Sequence, residues 1–173
     1  SSAASASYLS NVDLSAGNFV LNIACYADGV DSAAVTVEGW TTAKQNYIRI
    51  YTPKELSEVG ASQRHNGTWG NGYRRTAELL VSENYVRLDG LSLNVGTSDI
   101  RAYFLTGMSG VGESYISNCY GYRSGDILLD VFDIFDAGAI KCYWWNNIGI
   151  TDSINPMSYA FIFNDPRSTV YGY

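Results

Sequence analysis

Four aspartates between positions 126 and 136 form the densest group of carboxylates in the chain. Ca2+ binds where several oxygen ligands converge on one point, so Asp130, Asp133 and Asp136 are the candidate metal ligands, and Ca2+ is the one cofactor that the sequence suggests. On an extended strand Asp130 and Asp136 share one face and Asp133 lies on the other, so convergence requires a bend between them. If the segment is helical, the same spacing gives a solvated face instead.

A second group with chemical potential consists of aromatic residues. Tyr143, Trp144 and Trp145 are consecutive, so at least one of their rings faces outward if they lie on a strand. Outward rings suit the apolar faces of sugars, and we therefore treat these three residues, with Tyr120 and Tyr122 on a neighbouring repeat, as candidate glycan-binding residues. The alternative is an aromatic ladder that covers the repeat or packs against a neighbouring subunit.

The sequence offers no catalytic candidates. His65 is the only histidine, it falls in a loop rich in Gly and Asn, and no nucleophile motif accompanies it. The same loop contains Asn66-Gly67-Thr68, an N-glycosylation sequon, which makes Asn66 a candidate glycosylation site.

Composition indicates one ordered domain of β type. The 173 residues are 46% hydrophobic, 14% aromatic and only 16% charged. A net charge of −6 argues against binding to nucleic acid or to anionic membranes. No segment approaches the ~20 apolar residues that span a bilayer, so membrane insertion is not expected. The Ser- and Ala-rich first seven residues are typical either of the start of a mature secreted chain or of a linker.

Three cysteines, Cys25, Cys119 and Cys142, lack the spacing of a zinc site. Cys119 and Cys142 are expected at comparable places in successive repeats. They would then either stack as buried thiols or form one disulfide.

The elements that must position these residues repeat along the chain. The segment 84–94 alternates β-branched or aromatic residues with polar ones and has Gly90 where a strand would bend, and its first half recurs at 46–50. Looser copies begin at Tyr115, Ala139 and Ser168. The intervals from Tyr85 to the first of these copies and between successive copies are unequal. A second series of strands lies between them, beginning at Ile100, Ile127 and Tyr159. Two interleaved series predict an all-β parallel β-helix, right-handed by the general preference of parallel crossovers.

This repeat predicts a domain organisation. Residues 1–18 form a tail, residues 19–76 form an N-terminal cap and first coil with a long loop at 53–75, and residues 77–173 form the remaining coils. The last coil is expected to be open. An open coil presents unpaired backbone groups, so we expect either continuation into a longer chain or self-association through the ends.

The segments 38–42, 46–53, 64–67 and 83–91 resemble the N-terminal region of large secreted bacterial proteins with a right-handed parallel β-helix, in the pectate-lyase-like superfamily. The resemblance covers roughly residues 19–173. It implies a coiled parallel sheet with inward side chains stacked in ladders, on an extracellular protein.

Two functions follow as expectations. The first is a secreted structural or surface-binding β-helix, acting as a fibre or matrix subunit or an adhesin, with polysaccharide as a partner. The second is the N-terminal part of a polysaccharide lyase or glycoside hydrolase, since enzymes of the resembled superfamily act on polysaccharides. Aspartates converging beside Arg or Lys on one sheet, in a cleft, would favour the enzyme.

Overall fold

A computed structural model describes residues 13–96, 101–105, 112–124, 130–134, 141–152, 159–163 and 169–172. Within these ranges the chain forms sixteen short strands and two single-turn helices. The helices are α1 (Leu14–Gly17) and α2 (Leu56–Val59). The strands are β1 (Leu21–Ala24), β2 (Val30–Asp31), β3 (Val35–Val37), β4 (Ile48–Tyr51), β5 (Arg74–Arg75), β6 (Leu79–Val81), β7 (Val86–Asp89), β8 (Ser92–Asn94), β9 (Tyr103–Leu105), β10 (Glu113–Ser117), β11 (Tyr120–Arg123), β12 (Phe132–Ile134), β13 (Lys141–Trp145), β14 (Ile148–Thr151), β15 (Phe161–Phe163) and β16 (Thr169–Gly172). No helix in these ranges is long and apolar enough to cross a bilayer.

The strands form three parallel sheets that the chain visits in rotation. Sheet I has the order β1-β4-β7-β10-β13-β16, sheet II is β14-β11-β8-β5-β2, and sheet III is β15-β12-β9-β6-β3. Each triplet, from β1-β2-β3 as the first coil to β13-β14-β15 as the fifth, therefore makes one coil, and β16 begins the next. The predicted all-β fold with parallel sheets is confirmed, and the architecture is a β-solenoid.

The pairing register gives a regular coil step through the later coils. Ser117 lies 28 residues after its register partner Asp89, and Asn146 bonds to Asn118 across the same interval of 28 residues. One column of directly paired Cα atoms makes this step three times, through Leu88, Ile116, Trp144 and Gly172. The unequal intervals predicted from the sequence were wrong because they joined the first residues of loosely matched segments rather than paired positions. Tyr115, for example, lies beside Arg87 and not beside Tyr85.

The sequence predicted two strand series, whereas the described residues form three. The segment 84–94 is two strands, β7 and β8, in different sheets, and Gly90 makes the corner between them with φ +80°. Asn118 and Asn146 occupy the same corner in the next two coils, with φ 53° and 54°. Glycine and asparagine are the residues that adopt this conformation most readily, so they mark the corner in these three coils.

An aromatic stack fills the interior in the later coils. Phe132 stacks on Tyr103 with ring centroids 4.4 Å apart and on Phe161 at 4.8 Å. Trp144 packs against Phe132 from sheet I at 5.5 Å. The opposite wall at Gly121 has no side chain, which leaves room for Val131 and Phe132. Large rings on one wall are thus matched by a glycine on the other, as a closely packed interior requires.

The three cysteines are free thiols. Cys142 lies beside Ser114 in the register, whereas the backbone N–H of Cys119 donates to the side chain of Asn147, which is 28 residues away. The two cysteines therefore occupy different columns, and the expectation of comparable places was wrong. Burial raises the pKa of each of these two thiols to about 12.

Candidate functional site

The outer face of sheet I carries one side chain per coil in a single straight column. The register places Asn22, Arg49, Arg87, Tyr115, Tyr143 and Tyr171 beside one another in that order. We call Tyr115, Tyr143 and Tyr171 the tyrosine ladder. Their ring centroids are 4.8 and 4.9 Å apart, with planes 11° from parallel. Because neighbouring strands are ~4.8 Å apart, the sheet itself sets a spacing at which rings stack.

Arginines continue the column on the N-terminal side of the ladder. The guanidinium carbon of Arg87 lies 3.4 Å from the ring centroid of Tyr47 and 5.1 Å from that of Tyr115. Arg49 lies 4.0 Å from the ring centroid of Tyr51. Arg87 thus covers the face of Tyr115 that is opposite to Tyr143.

Stacking determines which parts of the ladder tyrosines a ligand can contact. Tyr143 has Tyr115 on one face and Tyr171 on the other, so a sugar cannot stack on it. Trp145 packs edge-on to Tyr115 at 6.1 Å and is half-buried. At Tyr115 and Tyr143, ring edges and hydroxyl groups rather than ring faces therefore form this surface.

Trp144 points inward and is only 5% exposed, in contact with the core ring Phe132. It presents no ring face at the outer surface. Beside it, at the fifth coil, lies a shallow cavity of about 240 Å³. Its lining residues are Trp144, Trp145, Asn146, Asn147, Phe161 and Gly172.

Tyr120 and Tyr122 lie on sheet II and face away from the tyrosine ladder. Tyr120 is 5% exposed because His65 covers it, with ring centroids 5.9 Å apart. The hydroxyl of Tyr122 donates to Asp152 at 2.7 Å. The five predicted glycan-binding residues therefore lie in three separate places: Tyr143 and Trp145 on sheet I, Trp144 inside, and Tyr120 and Tyr122 on sheet II.

Two of the predicted metal ligands are described, and both already have protein partners. Asp133 is 1% exposed and pairs with Arg101, while Asp130 accepts a hydrogen bond from the backbone of Tyr159 at 2.8 Å. Burial raises the pKa of both carboxyls. Asp136 lies outside the described residues, and the part of the chain that is described has no group of three potential metal ligands. The Ca2+ site remains a prediction.

The long loop predicted at 53–75 is observed between β4 and β5, at residues 52–73, and it contains α2. It folds back along the solenoid at the corner between sheets I and II. Arg64 forms an ion pair with Asp89 of the third coil at 2.8 Å, and His65 lies 2.7 Å from the carbonyl oxygen of Asn118 in the fourth. We call residues 63–67 the strap. It ties together coils that are distant in sequence, which explains why so long a loop is ordered.

Asp89 is the hub of the strap. Its carboxylate accepts hydrogen bonds from Asn118 at 2.8 Å, Ser117 at 3.2 Å and Arg49 at 3.3 Å, in addition to the ion pair with Arg64. Burial opposes ionisation, but the bond from Asn118 and the charge of Arg64 outweigh it and lower the pKa of Asp89. The ionised form is therefore the one that holds the strap.

His65 also has a defined protonation state. Its Nδ1 accepts from the backbone N–H of Gly67 at 3.0 Å, so the proton is on Nε2, which donates to Asn118. Burial lowers the pKa of His65. The neighbouring Asn66 is exposed, as a glycosylation site requires, and its side-chain oxygen accepts from Thr68 at 2.7 Å.

Sequence reasoning missed the strap because its contacts join residues with no shared local pattern. The sequence distance between Arg64 and Asp89 is unrelated to the coil step, and only the three-dimensional path of the loop brings them together. The tyrosine ladder had a detectable signal, since Tyr115, Tyr143 and Tyr171 recur at equal intervals. Comparison of the chain with protein-family models, with curated proteins and with solved structures found no match.

Proposed function

We propose that the protein is a secreted structural β-solenoid that assembles end to end, as the subunit of an extracellular fibre, matrix or adhesin. The observation that carries this proposal is the exposure along one inward column of sheet III. Leu79, Tyr103 and Phe132 are 3%, 0% and 0% exposed, whereas the two ends of the column, Val35 and Phe161, are 38% and 37% exposed. The core is therefore open at the first and fifth coils.

Backbone groups support the same proposal. In the described residues, β3 and β15 each have a neighbouring strand on one side only. The terminal strands belong to the same three sheets at both ends, with β1, β2 and β3 at one end and β14, β15 and β16 at the other, and all of the paired strands run in parallel. The last coil of one molecule is thus complementary to the first coil of another, a head-to-tail contact that does not close and therefore generates filaments.

The secreted location and the glycan partner rest on other grounds. The resemblance to secreted β-helix proteins supports secretion. The half-buried Trp145 and the hydroxyl-bearing edges of the tyrosine ladder are the surface we propose for contact with polysaccharide, whose hydroxyl groups pair with such edges.

The enzyme hypothesis is less well supported by the geometry. Arg101, which lies two residues before β9, does pair with Asp133 on β12 of sheet III, so one aspartate and one basic residue are close together. However, Asp133 is 1% exposed, and its charge is used in that ion pair. A polysaccharide would therefore not reach the Asp133 carboxylate without prior opening of the structure.

The test is electron microscopy with light scattering on the purified 19.0 kDa chain. Wild-type protein should form filaments, while Phe161→Asp and Val35→Asp should each stop growth at the altered end. Leu56→Asp is the matched control, because Leu56 is 74% exposed on α2 and lies outside the two end strands. Its filaments should be unchanged.

Mixing the two end variants separates a blocked end from a misfolded protein. Phe161→Asp retains an intact first coil and Val35→Asp an intact fifth coil, so an equimolar mixture should give one-to-one dimers that grow no further. Wild-type particles that stay monomeric at all concentrations would contradict the proposal. They would indicate instead that further coils of a longer chain cover these ends.

A further inference from the structure

We propose that Tyr115 and Tyr143 form an oxidative cross-linking site, at which a haem peroxidase with hydrogen peroxide couples the two rings into dityrosine. The product would be a covalent brace between the fourth and fifth coils on the outer face of sheet I. The inference is independent of end-to-end assembly, since both residues belong to one chain.

The sheet holds the two tyrosine rings in contact. The two residues are direct partners in the β10–β13 pairing, and their rings stack at 4.8 Å with planes 11° apart. Two tyrosyl radicals must meet within their short lifetimes, and a sheet that holds the rings in permanent contact removes the search. A small tilt about the side-chain torsions then brings carbon atoms next to the hydroxyl groups into bonding contact.

A proton acceptor lies beside the hydroxyl group of Tyr115. A phenol that loses an electron becomes a strong acid, so oxidation is favoured where a base accepts the proton at once. The Tyr115 hydroxyl donates to Oε2 of Glu113 at 3.0 Å, and Lys44 pairs with the same carboxylate at 3.2 Å. Burial opposes the charge on Glu113, but the hydrogen bonds from Lys44 and Tyr115 lower its pKa, so the carboxylate is ionised and able to accept.

Coupling of the two rings consumes one hydrogen peroxide. Each phenol gives one electron to the peroxidase and loses its proton, that of Tyr115 to Glu113 and that of Tyr143 to water. The two radicals form a carbon–carbon bond between ring positions adjacent to the oxygens, and each of these carbons then releases its hydrogen as the oxygen regains a proton. One hydrogen peroxide takes up two electrons and two protons and becomes two waters, so the protein loses two hydrogen atoms.

Accessibility is adequate for an oxidant that acts by electron transfer. Both rings are half-buried on an outer sheet face rather than enclosed, and Tyr171 extends the same stack at 37% exposure. By contrast, Tyr103 is 0% exposed and its hydroxyl is bonded to the backbone inside the core. Oxidation that begins at the exposed Tyr171 can therefore pass by electron transfer along the tyrosine ladder to the half-buried rings.

The experiment treats the folded chain with a purified haem peroxidase and peroxide, then maps linked peptides by mass spectrometry. The expected major product joins the Tyr115 and Tyr143 peptides within one chain, with the mass of two hydrogens lost and the blue fluorescence of dityrosine. Tyr143→Phe keeps the stacked ring but should abolish this product. Tyr122→Phe, which removes a hydroxyl on sheet II, should leave its yield unchanged.

Two further measurements keep the proposal falsifiable. Glu113→Gln removes the proton acceptor and should slow formation of the linked peptide at least severalfold. Wild-type protein in concentrated urea should lose the selectivity for this pair and give mixed cross-links. The proposal is overturned if folded wild-type protein yields no Tyr115–Tyr143 peptide or mainly links between chains, or if Tyr143→Phe leaves the fluorescence unchanged.

Discussion

Replacing Gly121 by alanine tests how the interior is packed. A β-carbon at this position would lie 2.3 Å from Cγ1 of Val131 and 3.0 Å from Cε2 of Phe132. Both neighbours are 0% exposed and enclosed in the aromatic stack, so they cannot swing into solvent to relieve the clash. Overpacking of such a core costs about 1–3 kcal/mol in the free energy of unfolding, and we expect Gly121→Ala to fall in this range.

The matched control is Gly29→Ala. Gly29 has no atom within 4 Å of an added β-carbon and no positive φ, so alanine fits there without strain. Restricting the unfolded chain should make this variant neutral or more stable by up to about 1 kcal/mol. The assay is urea unfolding followed by tryptophan fluorescence, because Trp144 contacts Phe132 and reports on the same stack.

A double mutant identifies the cause. Val131→Ala removes the methyl group nearest to the new β-carbon, so Gly121→Ala with Val131→Ala should be less destabilised than the sum of the two single changes, by about 0.5–3 kcal/mol. If Gly121→Ala is as benign as Gly29→Ala, or if the double mutant is strictly additive, the proposed packing of aromatic rings against a glycine wall is incorrect.

Three other predictions concern titratable groups. Asp89→Asn should destabilise the protein by about 1.5–3 kcal/mol near neutral pH. The lowered pKa means that this stabilisation is present above the ordinary value of 3.8 and lost as pH falls below it, so the variant's urea midpoint should vary less between pH 5 and pH 3 than that of wild type. His65 has a lowered pKa, so the wild-type midpoint should fall as pH drops below the ordinary value of 6.5, and His65→Gln should reduce that dependence. Cys119 and Cys142 are 0% exposed with pKa about 12, so iodoacetamide at neutral pH should modify them only after unfolding, as mass spectrometry of the native and denatured chain would show.

The fold was predictable from the sequence because most strands carry a local signal. β4 and β7 share the order Ile/Val-Arg-Ile/Leu, and alternation along each strand reports which side chains face inward. Sheet II was missed because its later strands follow those of sheet I after a corner of only two residues, so that the segment 84–94 reads as a single strand. Its first strands carry no local signal. Arg74 and Arg75 make up the whole of β5, and nothing in two arginines indicates a strand.

The candidate site was only partly predictable. The outward position of Tyr143 follows from strand alternation, but its stacking depends on the register, which the looser alignment of segments misplaced. Trp144 was assigned to a glycan-binding surface, but its side chain is one of those that face inward. The contact between Arg64 and Asp89 depends on the path of a loop, which local residue patterns do not encode.

The most direct test compares two engineered cysteine pairs, which form a disulfide or not according to the number of residues in one coil. Glu113→Cys with Lys141→Cys joins direct partners in the β10–β13 pairing, on adjacent strands whose ~4.8 Å spacing permits a disulfide. Ser117→Cys with Lys141→Cys corresponds to the shorter step between the copies that begin at Tyr115 and Ala139, and in the observed register it would separate the thiols by roughly 13 Å along the strand. The account predicts that mild oxidation links the first pair quantitatively and leaves the second pair reduced. Formation of a disulfide in the second pair, or failure of both pairs to form one, would contradict the coil register. The solenoid, the tyrosine ladder and the open ends all depend on that register.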